Sequence, residues 1–234
     1  MRKTERLSRT KRLVDYILDT STAMELEEEL TAWIAGSGGF RDFADAHRDK
    51  IRKKLRGARD HETVKDVRAE LRVAQLLLTD RHIELTFEPY GAHGGPDFGV
   101  TYRGVRPFNL EVTRLRLDPP SLGGPLLAKL RQLPPSVPNV LLAGIAGTRA
   151  EAINIPSVIS DLRARADQRD EAVFIGRGLA GSREFHQRLL RLGAVVIWCE
   201  GADGVARSTS WTNRSARIAV PDRALRACVI ALHG

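Results

Sequence analysis

Val140, Leu141, Leu142 and Ala143 follow one another with no polar residue between them, so a strand made from them has no side to turn to water. Such a strand belongs in the middle of a sheet with a layer over each face, as in sheets whose parallel strands are joined through helices. Ala194 to Cys199 is a second run of this kind. Around the two runs the apolar spacing alternates between helix and strand periods. Helices are expected at about Pro125 to Leu133, Pro156 to Ala166, Ser182 to Leu192 and Pro221 to Leu232. Strands are expected at Ile83 to Phe87, Val140 to Ile145, Ala172 to Ile175 and Ala194 to Cys199. This alternation predicts an α/β domain with a mixed sheet flanked by helices.

The N-terminal part reads differently. Leu13, Tyr16, Ile17, Met24, Leu30 and Ile34 recur at helical spacing, and Gly36-Ser37-Gly38-Gly39 ends the run. A second helix, from about Arg41 to Arg56, carries Arg48, Lys50, Arg52, Lys53, Lys54 and Arg56. That basic helix reads either as a phosphate-tracking face or as a solvated surface. The next helix, Glu62 to Thr79, places Val67, Leu71, Ala74, Leu77 and Leu78 on one stripe with Glu70 at its edge. An unpaired buried carboxylate is strongly disfavoured, so Glu70 must reach water or meet a cation. The organisation expected is a helical N-terminal extension over 1–60, a core over 61–150, and an α/β completion of the same domain over 151–234.

Composition narrows the partner class. The 234 residues carry a net charge of +8 and a pI near 10, mostly through arginine, whose guanidinium suits bidentate phosphate contacts. Nucleic acid or another polyanion is the natural partner, although arginine-rich composition also follows from a GC-rich genome. Cys199 and Cys228 are too few and too isolated for a disulfide framework or a zinc site, and both read as buried small hydrophobes. No apolar run has the length of a membrane helix or the character of a signal peptide, so no membrane partner and a cytoplasmic location are expected.

The candidate chemistry lies in a hairpin. Phe98 to Tyr102 and Val105 to Thr113 read as two strands joined at Arg103-Gly104, and a turn centred near Gly104 sets Asp97 opposite Glu111. Facing Cβ atoms in an antiparallel pair are about 5 Å apart, which lets two carboxylates share one hard cation. Strand alternation turns Phe108, Leu110 and Val112 to one face and Asn109, Glu111 and Thr113 to the other, the expected substrate face. His82, His93 and His186 are too scattered for a zinc motif, so Mg2+, with Mn2+ as a substitute, fits the oxygen donors best.

The order of Glu70 on a helix, Pro96-Asp97 at one strand and Glu111-Val112-Thr113 on the next resembles the PD-(D/E)xK nuclease superfamily, whose fold is restriction-endonuclease-like. The resemblance covers about 62–145. It implies Mg2+-dependent hydrolysis of DNA phosphodiesters, with the metal held by Asp97, Glu111 and the Val112 carbonyl, and a homodimer that reaches both strands. The residue two after the glutamate, a lysine in the family, is Thr113 here. Strand alternation sends Arg114 and Arg116 to the opposite face unless a bulge intervenes. Since members of the superfamily can supply the missing function from a neighbouring element, the resemblance implies Lys129 and Gln132 on the following helix as the candidates. Catalytic candidates are therefore Glu70, Asp97, Glu111, Thr113 and Lys129.

Weaker nucleic-acid contacts are Gln132, His93 in the glycine-rich turn, and Trp211, which has polar neighbours. Trp33 and Trp198 read as core residues. The alternative function is a degenerate module of the same fold that binds nucleic acid or a protein without cutting. A small-molecule enzyme lacks support, because there is no P-loop, no dinucleotide-binding glycine motif after a strand and no nucleophile elbow.

Overall fold

A computed structural model of the chain describes residues 3–19, 23–91, 94–116, 121–146, 150, 153–201 and 205–233. The chain divides into two compact units, Met1–Arg81 and His82–Gly234.

The first unit is helical throughout its described residues: α1 (Lys3–Leu18), a 3-10 turn (Met24–Leu26), α2 (Glu27–Gly36), α3 (Gly38–Ala46), α4 (Arg48–Gly57) and α5 (His61–Leu77). Capping sets several of these boundaries. Ser37 accepts from the Phe40 amide at 3.1 Å to start α3, and Asp60 accepts from the Thr63 amide at 2.7 Å to start α5. The helix expected from Arg41 to Arg56 is in fact two, because the chain turns at His47 between α3 and α4. Ile17, Leu30, Ile34, Phe40, Leu55 and Leu71 are fully buried, whereas Tyr16 and Met24 of the apolar stripe face water. Three members of the basic run on α4 are tied to carboxylates within the unit: Arg48 to Asp45, Arg52 to Asp19 and Lys54 to Glu70.

The second unit holds a six-stranded mixed sheet in the order β1 (Ile83–Phe87), β2 (Phe98–Tyr102), β3 (Phe108–Leu115), β4 (Asn139–Ala146), β5 (Leu192–Glu200), β6 (Ala206–Thr212). The β3/β4 and β4/β5 pairs are parallel and the other three antiparallel. Parallel neighbours need crossovers, and the helices that supply them are α6 (Gly123–Leu130), α7 (Ile155–Asp167), α8 (Glu171–Ile175) and α9 (Ser182–Leu189). Leu126, Ile159, Phe174 and Phe185 from these helices pack with Leu141, Val195 and Ile197 in one apolar cluster. The last helix, α10 (Asp222–Ala231), ends against Trp198, whose indole N–H donates to the Leu232 carbonyl at 2.9 Å. Trp198 alternates away from Val195 and Ile197, so that contact lies on the other face. Cys199 and Cys228 are both buried as thiols.

Two local outcomes differ from the sequence reading. Ala172 to Ile175, expected as a strand, is the helix α8: β4 and β5 are direct neighbours, which leaves no slot between them, and Phe174 instead packs against Phe185, ring centres 5.0 Å apart, within the helical layer. Glu171 at its start binds the Ser182 amide at 2.7 Å and hydroxyl at 2.6 Å, which caps α9 and holds the Glu171 carboxyl below the usual carboxylate range. The edge strand β6 was not anticipated, because Arg207-Ser208-Thr209-Ser210 carries no apolar alternation. Among the described residues no helix is long and apolar enough to cross a membrane.

Burial, with the Lys50 ammonium nearby, lowers the His47 pKa below its ordinary 6.5, and the ring packs against Phe43 at 4.9 Å. The folded helical unit therefore favours the neutral imidazole. As pH falls through about 6.5 the unfolded chain takes up the proton first, so stability declines in that direction. Urea unfolding of the whole chain between pH 7.5 and 5.5 should show this loss, and His47→Gln should flatten it. An unchanged pH slope in the variant would rule out His47 as the source.

Candidate functional site

The hairpin between β2 and β3 sets the site. Arg103 and Gly104 both take positive φ, 50° and 65°, and the Val105 amide donates to the Tyr102 carbonyl at 2.9 Å. Two positive φ values in succession match the right-handed twist of a two-residue hairpin turn, and glycine adopts the second without strain. The strand resumes only at Phe108, after Pro107, which has no N–H to pair. The resulting register puts Phe98 opposite Leu110 and Val100 opposite Phe108. One step further along, Asp97 stands opposite Glu111.

The alternation of hydrogen bonds defines how close these two come. The Asn109 amide points to the β4 side, where it meets the Pro138 carbonyl at 2.8 Å, so Leu110 pairs toward β2 and Glu111 again toward β4. Asp97 and Glu111 thus form a narrow, non-hydrogen-bonded pair, in which Cα atoms are about 4.5 Å apart and side chains are closest. The Val112 amide turns back toward β2 and donates to Asp97 Oδ2 at 2.8 Å. In an extended strand the N–H and C=O of one residue leave by the same edge, so the Val112 carbonyl emerges beside Asp97 as well.

Glu111 is 1% exposed, and the Lys129 ammonium from α6 lies directly against its Oε1. Asp97 is 8% exposed. Next to the pair is a buried polar network. Asn139, fully buried at the start of β4, accepts from Asn109 Nδ2 at 2.9 Å, and its Nδ2, with two protons to donate, lies 2.9 Å from each of the carbonyls of Pro134, Val137 and Arg191, while Tyr90 exchanges hydrogen bonds with Asn109. These bonds tie together the loop after β1, the start of β4 and the turn before β5. A cleft of about 660 Å³ has Gly94, Gly95, Arg131, Gln132 and Arg188 in its walls. Gly94 and Gly95 adjoin Asp97 in sequence, and Arg131 and Gln132 adjoin Lys129. Arg188 is braced by Glu184 at 2.9 Å, and the Ala180 amide together with Arg188 lowers the Glu184 pKa.

The structure thus brings Asp97, Glu111, Val112 and Lys129 together and places Thr113 one alternation further along the same face, paired with Ala143. The face itself differs from expectation. Glu111 neighbours Leu141, then Val195, then Trp211 across the ladders, so the side expected to meet substrate is the one that α6 to α9 cover. Trp211 is half-buried and packs against this apolar cluster, and its neighbour Asn213 is buried, binding the Leu189 and Leu192 carbonyls at 2.9 Å. Gln132 is exposed in the cleft wall. Glu70 belongs to the helical unit, where it is 7% exposed and bound by Lys54 at 2.5 Å, the cation its position on the stripe demanded. His93 lies outside the described residues.

Sequence reading missed Tyr90, Asn139, Arg131 and Arg188. Asn139 heading an apolar strand was the one visible signal, since an amide there must find partners. Among the described residues no group of three or more His, Cys, Asp or Glu is clustered as a metal cage. Comparison with protein-family models, with curated proteins and with solved structures returned no match.

The Lys129 ammonium is paired with a carboxylate that has almost no contact with water. Removing one member of such a pair leaves an uncompensated charge, whereas replacing both with apolar groups does not. In EDTA, Lys129→Met should cost about 2–3 kcal/mol in urea unfolding, and the double variant Glu111→Leu/Lys129→Met should recover most of it. Equal losses in the single and double variants would contradict a buried charge pair.

Proposed function

We propose that the chain is a Mg2+-dependent nuclease that hydrolyses phosphodiester bonds of DNA, on a sheet of the restriction-endonuclease-like kind. The observation that carries this reading is the narrow Asp97–Glu111 pair with the Lys129 ammonium on Glu111. The donor set suits the ion: two carboxylates and a backbone carbonyl are hard oxygen ligands, and Mg2+ binds through one or two carboxylates while keeping several waters for substrate to displace. Asp97, Glu111 and the Val112 carbonyl are the residues that would hold it. Such an ion, when bound, supplies positive charge to the phosphoryl oxygens and lowers the pKa of water.

The other roles fall to side chains. The Val112 amide fixes the orientation of Asp97 through Oδ2. Lys129 brings the positive charge that Thr113 lacks, from a helix instead of the strand, and offsets negative charge as the phosphodiester bond breaks. Burial of Glu111 strengthens each of these interactions by keeping bulk water away. Arg131, Arg188 and Gln132 line the cleft in which the flanking phosphates would lie.

A second reading is favoured by the same ion pair. With Thr113 uncharged and Lys129 already neutralising Glu111, the fold serves as a binding module without hydrolysis. One experiment separates the two. Wild type, Asp97→Ala and Lys129→Ala are incubated with circular single- and double-stranded DNA and with RNA, in Mg2+, Mn2+ or EDTA, and binding is recorded alongside. The nuclease reading expects metal-dependent cutting of DNA that falls at least about a hundredfold in both variants. Cutting by Asp97→Ala at the wild-type rate, or no cutting by the wild type in any metal, refutes it. Retained binding in the latter case supports the module.

A further inference from the structure

The helical unit contains a pocket of about 420 Å³ lined by Arg9, Arg12, Arg41 and Arg48 together with Thr10 and Tyr16. Four guanidinium groups on one concavity repel each other unless acidic groups offset them, and the acidic residue in the lining is Asp45. Asp45 engages two of the four, Arg9 at 3.1 Å and Arg48 at 3.3 Å. The other two are less engaged. Arg12 donates through Nε to the Ser8 carbonyl at 3.3 Å, its one polar side-chain contact among the described residues. Arg41 Nε lies 3.7 Å from Asp42, whose side chain is 77% exposed. A solvated pair at that distance contributes little.

Two further features suit the pocket to a ligand. The Thr10 side chain is only 2% exposed, and its hydroxyl, on a wall of the pocket, has no hydrogen-bond partner among the described residues. A buried hydroxyl in that state costs free energy that an accepting oxygen would return. The Tyr16 wall is fixed, since its hydroxyl donates to Asp49 at 2.5 Å and the Arg48 and Arg52 guanidinium groups lie over its ring at 5.4 and 4.5 Å.

We propose that this pocket is a phosphate-binding site, with Arg12 and Arg41 as forked donors, Thr10 as a third donor, and Asp45 holding Arg9 and Arg48 in place. Planar guanidinium forks match phosphate oxygens, and an anion that accepts from several of them relieves their mutual repulsion. The phosphate belongs either to a nucleic-acid backbone or to a small free phosphate compound. The inference goes beyond the nuclease reading and stands without it, because binding is read in EDTA, where no metal-dependent step runs.

The test measures fluorescence anisotropy of a short labelled DNA duplex in EDTA across a salt series, and the Tm shift given by inorganic phosphate and by a nucleoside monophosphate. Arg12→Gln/Arg41→Gln is compared with Arg223→Gln/Arg226→Gln, which removes the same charge from exposed positions on α10. The site predicts that the pocket variant loses at least about tenfold in duplex affinity and about two units of salt slope, with the control losing clearly less. Thr10→Val is the second variant: it removes the buried hydroxyl without altering charge, so it should bind more weakly while its Tm without ligand holds or rises. Loss in the duplex arm identifies a polynucleotide phosphate, and loss of the Tm shift alone identifies a small phosphate compound. Equal behaviour of pocket and control variants in both arms overturns the site.

Discussion

The register of β2 against β3 is the constraint on which the candidate site rests, because a slip of one residue would send Glu111 to the opposite face and separate it from both Asp97 and Lys129. Three features hold the register. The turn accepts positive φ at Arg103 and Gly104, Pro107 delays the resumption of pairing until Phe108, and Phe98 and Val100 are fully buried on the face they share with Leu110 and Phe108. With those in place, the narrow pair at Asp97 and Glu111 follows from the alternation of an antiparallel ladder. The Val112 amide then has nothing of β2 to pair with, and the Asp97 carboxylate takes the place of the missing strand partner.

Polar groups inside both units follow one pattern, in which each meets a partner delivered by another element. Lys129 on α6 meets Glu111 on β3; Lys54 on α4 meets Glu70 on α5; Asn139 joins three carbonyls from two loops. These contacts contribute little net free energy beyond the desolvation they offset, yet each is costly to break on one side only. They therefore act more as specifications of geometry than as sources of stability. The sheet itself is held by its apolar cluster, with Leu141, Val195 and Ile197 under α6 to α9.

Much of this was legible in the sequence wherever the signal was local. The hairpin, the opposition of Asp97 and Glu111 and the continuous apolar strand at Val140 all follow from spacing and alternation over a few residues. What failed depended on partners distant in sequence. Ala172 to Ile175 is β-prone in composition, but the direct pairing of β4 with β5 turns it into a helix. Asn109, Glu111 and Thr113 form a polar stripe on one strand, and only the ladders show that Leu141 and Val195 continue that stripe as core. Trp211 has polar neighbours in sequence, yet its side chain packs against the apolar cluster. β6 has no period of its own and pairs because β5 offers an edge.

The covered face gives Thr113 a physical rationale. A lysine there would need to bring its ammonium out from under the helical layer, at a position whose lateral neighbour is the fully buried Ala143. Lys129 approaches the same carboxylate from the helix side, where its side chain is 26% exposed and its stem can lie along apolar surface with the charge at the tip. Threonine fills the strand position with a β-branched side chain suited to a sheet. The positive charge and the carboxylate it neutralises are thus supplied by elements on opposite sides of one crossover, β3 and α6. Any movement of α6 relative to the sheet changes their separation directly, so the ion pair at Glu111 is coupled to the packing of that single helix.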